Sequence, residues 1–78
     1  MPKIVKVIGR QVDELSDAFR GNAPREAVLA EAQHLIKLID QKRIVAKLWD
    51  HGPMLERLTD YYRYCRMVEN NLAIGENQ

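Results

Sequence analysis

The side chains able to act as nucleophiles are few: one serine (Ser16), one threonine (Thr59) and one cysteine (Cys65). A catalytic nucleophile needs a base beside it and a third group to orient that base. Ser16 has Asp17 next to it and no histidine close in sequence. Cys65 precedes Arg66, but neighbours on a helix point about 100° apart. Cys65 also falls on an apolar seam, so it reads as a small buried hydrophobe rather than an activated thiol. Metal ligation is the next chemistry to weigh. Glu31-Ala32-Gln33-His34 has the Glu-x-x-His spacing used by di-iron carboxylate bundles, which need a second such motif and further inward carboxylates. Glu31 lies only at the edge of the apolar stripe and His34 lies further out, so both are expected in solvent. His51, in the run Asp50-His51-Gly52-Pro53, reads as a turn residue near a helix C-terminus, where positive charge is favoured. No acid–base pair of diagnostic spacing and no glycine-rich phosphate loop is present. The expectation is a non-catalytic protein with no cofactor and no metal site.

Whatever positions these side chains must be small. The chain has 78 residues, 12 basic and 11 acidic, with a formal net charge of +1 and 46% hydrophobic residues. That length allows one domain, residues 1–78, with a thin stability margin. Near-neutral charge excludes both an acidic nucleic-acid mimic and a protein that binds polyanions through charge alone. A single cysteine excludes an internal disulfide and a multi-cysteine metal site. No apolar run approaches the ~20 residues of a membrane span, and Lys6 interrupts the apolar stretch near the N-terminus. A cytoplasmic location is expected.

Three segments carry a helical pattern. From Pro53, the residues Met54, Leu58, Tyr61, Cys65, Val68 and Leu72 recur at alternating spacings of four and three, a heptad seam that predicts a helix over 53–73. Gly75 is the expected stop. A second segment, 24–50, has no internal breaker; its stripe is Val28, Ala32, Leu35, Leu38, Ile39, Val45, Ala46 and Trp49, with Lys42 lying along the seam. Pro24 suits a first helical position and Asn22 is the better candidate cap. In the first segment Val5, Ile8, Val12, Leu15 and Phe19 predict a helix over 3–20. Two features oppose it. Lys3, Lys6 and Arg10 precede Asp13, Glu14 and Asp17, the wrong order for the helix dipole, and Gly9 in mid-helix costs ~1 kcal/mol. The alternative is a β-strand at 3–8, rich in β-branched residues, followed by a shorter helix. The expected fold is all-α: a three-helix bundle with a long central helix, self-associating as a dimer.

With the strand alternative, the element order matches that of ribbon-helix-helix DNA-binding dimers, whose paired strands enter the major groove. This would make the chain a small DNA-binding transcriptional regulator. Neither face of a strand at 3–8 offers good base-reading groups, however: one carries Lys3, Val5 and Val7, the other Ile4, Lys6 and Ile8. Tyr61, Tyr62 and Tyr64 with Arg57, Arg63 and Arg66 could form a stacking surface for single strands, but tyrosine and arginine beside a core seam more often mark a protein interface. Mixed charge on the polar faces speaks against a membrane-surface helix.

Surplus hydrophobicity is the remaining signal. Helices of unequal length leave the end of the second one uncovered, and Ile44 and Leu48 point away from its main stripe. Ile44, Leu48 and Trp49, with Tyr62 and Tyr64 on the next helix, are the expected partner-binding residues. The partner is expected to be another protein, a second copy in a homodimer, or both.

Overall fold

The computed structural model describes residues 2–76, with side chains described up to residue 73. It is all-α, with α1 at Lys3–Arg20, α2 at Arg25–Leu48 and α3 at Gly52–Glu76. The helices form an elongated bundle of 42 × 21 × 14 Å. α2 and α3 make an antiparallel hairpin that supplies the principal interface, and α1 packs against both.

The β-strand alternative at 3–8 is overturned, because Lys3–Ile8 are the first turns of α1. The decisive term is burial. Val5, Ile8, Val12 and Leu15 share one helical face and all lie in the core. A strand would have sent Val5 and Ile8 to opposite faces. The basic residues that oppose the dipole, Lys3, Lys6 and Arg10, are all exposed, where solvent weakens the penalty. Gly9 has a packing reason. A Cβ built there would lie 2.5 Å from Tyr61 Oη and 3.1 Å from its Cζ. The missing side chain admits the tyrosine of α3 against α1.

The core is built as the three-four spacing predicts. Val28, Ala32, Leu35, Ile36, Ile39 and Ala46 of α2 meet Met54, Leu58, Cys65 and Val68 of α3, all buried. Alanines at 32 and 46 allow close helix approach. Lys42 lies in the seam and is half-buried, as a snorkelling side chain should be.

Gly21 ends α1 as its C-cap, its N–H donating to Ala18 O, but the turn after α2 is not closed by a glycine. No described glycine has positive φ, and Gly52 and Gly75 both lie within α3. Asp50 instead adopts the left-handed conformation, with φ 52°. Its N–H donates to Lys47 O at 3.1 Å, and the His51 N–H donates to Ala46 O at 2.9 Å. This pair of bonds is a Schellman stop. His51 then caps α3, its Nδ1 accepting from the Met54 N–H at 3.1 Å. α2 starts on Pro24, which is the cap position itself, and no side chain caps it, so Asn22 does not have that role.

Candidate functional site

α2 is long enough to outrun α1. Its 24 residues span ~36 Å against ~27 Å for the 18 residues of α1. Both core-facing and outward apolar residues occur on its C-terminal part. Ala46 turns inward and is fully buried, whereas Ile44 and Leu48 are 60% and 79% exposed. One helical turn separates the two exposed residues, so they form a continuous apolar ridge on the outer side of α2. Lys37, Asp40, Gln41 and Lys47 border that ridge, and all four are exposed.

The other expected contact residues do not join it. Trp49 is 67% exposed, but it is the C-cap of α2 and lies about 100° round from Leu48. Tyr62 packs against the core under Arg43, whose guanidinium carbon stands 4.8 Å from the ring centroid. That cation–π contact ties α2 to α3 and uses one face of the tyrosine for stability. Tyr64 is half-buried on the opposite flank of α3, about 160° from Tyr62. Of the five residues, only Ile44 and Leu48 form a shared surface. Leu48, the most exposed large hydrophobic residue among the described residues, lies at its tip.

Two hollows lie elsewhere. A shallow furrow of about 490 Å³ runs between side chains on the outer face of α3, among Tyr62, Arg63, Arg66, Met67, Asn70 and Asn71. It belongs to a single helix, and Arg66 is engaged with Glu69 at 2.8 Å. A second, of about 220 Å³, lies between α1 and α2 beside Leu15, Ala18, Ala27 and Val28, with Glu14 and Glu31 at its rim. Tyr62, Arg63 and Arg66 of the first furrow are among the residues weighed from sequence as a stacking surface; the second hollow has no such signal, and the exposure of Val7 and Met67, at 39% and 40%, is an addition from the structure. The signal for Val7 was available: it sits one residue off the α1 seam.

The side chains able to do covalent chemistry are held by local structure. Ser16 Oγ accepts from Arg20 at 2.6 Å, and Thr59 Oγ1 donates to Leu55 O at 2.8 Å. Cys65 is fully buried and unpaired. Burial first, and the negative charge of Glu31 second, push its thiol from 9.0 up to about 11. It therefore stays protonated at neutral pH, the opposite of what a nucleophile requires. Glu31 and His34 are exposed, and no group of three or more His, Cys, Asp or Glu residues gathers among the described residues.

Comparison with protein-family models, curated proteins and solved structures returns no match. No helix among the described residues is long and apolar enough to cross a membrane. Among the described residues, Ile44 and Leu48 are the exposed large hydrophobic pair that stands one helical turn apart, within a mixed-charge border.

Proposed function

We propose that this chain is a small, non-catalytic helical module that binds protein, acting as an adaptor, accessory subunit, inhibitor or regulator through the outer ridge of α2. The observation that carries the reading is the exposure of Ile44 and Leu48, at 60% and 79%, one turn apart on a helix whose other side is fully buried. Burying two such side chains is worth roughly 1.5–3 kcal/mol each. That is substantial for a chain this short. The restrained Ser16 and Thr59 and the raised Cys65 thiol support a non-catalytic role. A free, buried cysteine suits a reducing compartment, and a cytoplasmic location is part of the proposal.

Ile44→Asp and Leu48→Asp test it. Each charge would enter the interface, while in the free chain it sits in water, so circular dichroism should remain that of the wild type. Sedimentation velocity at micromolar concentration, and capture from lysate of the native host, should both show weakened association. Equal association and equal capture by wild type and variants would overturn the proposal.

A further inference from the structure

The occupant of the α2 ridge can be argued from the charges beside it, taking as given that Ile44 and Leu48 are an association face. We propose that it is a second copy of this chain, with the two α2 helices packed antiparallel about a twofold axis beside Ile44. At about 100° per residue, Lys37, Asp40, Gln41, Lys47 and Leu48 all project within about 60° of Ile44. Asp40 and Lys47 lie on the same flank, two turns apart and on either side of Ile44. A twofold axis perpendicular to the helices reverses their order but keeps the flank. Asp40 therefore faces Lys47 of the second copy, and Lys47 faces its Asp40, so each attraction occurs twice.

The remaining side chains fit the same register. Ile44 meets Ile44 across the axis. Leu48 lies over the methylene stems of Lys37 and Gln41 of the other copy. Lys37 reaches the C-terminal end of the facing α2, where the helix dipole favours a cation. Arg43 engages only Oδ1 of Asp40, at 3.2 Å, and both side chains are partly in solvent, so Oδ2 can accept from a second cation. A parallel pairing exchanges the flanks, so that Asp40 would face Gln41 and Lys47 would face Leu48 of the second copy, and both charge pairs would be lost. The formal net charge of +1 adds little repulsion between whole molecules.

Charge swaps on the full chain decide the matter by sedimentation equilibrium. Asp40→Lys and Lys47→Asp should each raise the dimer Kd about tenfold, because two attractions become two repulsions. Combining both substitutions in one chain restores the pairs and should bring Kd back to within about threefold of the wild type. Mixing the two single variants should yield a heterodimer in preference to either homodimer. A wild type that stays monomeric, or a double variant as weak as the singles, would overturn the antiparallel second copy. If Ile44→Asp abolishes association while the charge swaps do nothing, this geometry falls and the association face stands. If the wild type dimerises and Ile44→Asp leaves that dimer unchanged, this geometry falls, and the association face falls with it when capture from lysate is unchanged too.

Discussion

Asp50 shows how much of this fold turns on one residue in an unusual conformation. Its φ of 52° lies in the left-handed region, which costs a side-chain-bearing residue roughly 1–2 kcal/mol and glycine almost nothing. The carboxylate gains little in return: it sits between the C-terminus of α2, which disfavours it, and the N-terminus of α3, which favours it. Asp50→Gly should therefore stabilise the chain by about 0.5–1 kcal/mol after the greater flexibility of unfolded glycine is allowed for. Asp50→Val, with a β-branched side chain that tolerates positive φ poorly, should destabilise it by about 1–2 kcal/mol. Urea denaturation of both variants reads the difference, and equal midpoints would remove the left-handed stop. Glycine is the usual occupant of that conformation, and the same turn contains one, Gly52. The backbone puts the stop two residues earlier and gives Gly52 to the next helix. Composition marked the turn; only coordinates could say which residue bends. Cys65 is the opposite case, since its place on a heptad seam was enough to bury it.

At the scale of the element, apolar spacing read the three helices almost to their ends, because burial of one face decides helix against strand. α1 is instructive. Gly9 counts against it by propensity, yet it is a position where Tyr61 of α3 fills the space a side chain would take. Local propensity sees only the cost of glycine; tertiary packing supplies the reason for it. A double-mutant cycle separates the two. In the wild-type background Gly9→Ala gains ~1 kcal/mol of helix propensity but must displace a ring whose Oη would lie 2.5 Å from the new Cβ. Because that atom ends a side chain, the ring can swing aside, so the net change should be near zero or unfavourable. In a Tyr61→Phe background the closest atom is gone, and Gly9→Ala should stabilise by about 0.5–1 kcal/mol. Thermal denaturation of the four proteins yields the coupling. A coupling of zero would mean that the tyrosine does not explain the glycine.

For the whole molecule, the binding surface was harder to read than the fold. Ile44 and Leu48 were legible, because two apolar residues four apart and opposite a stripe must face outward. Trp49, Tyr62 and Tyr64 were grouped with them by residue type and nearness in sequence. Each is turned away by helix geometry or, for Tyr62, by the Arg43 stack above its ring. Residue type alone ranks interface candidates; only the angular position of each decides which can act together. A chain of 78 residues buries a small core, so a partner at the Ile44–Leu48 ridge should matter to its stability. If that partner is a second copy, unfolding and dissociation are linked, and the thermal midpoint must depend on concentration. Above the dimer Kd, a tenfold rise in concentration adds about 0.7 kcal/mol per protomer, half the usual tenfold free energy. For a domain of this size that corresponds to roughly 3–6 °C. Scanning calorimetry across two decades of concentration should show this rise in the wild type, and a flat midpoint for Ile44→Asp. A midpoint independent of concentration in both would mean that each chain folds without help from another copy, and the ridge would then have to belong to a different protein.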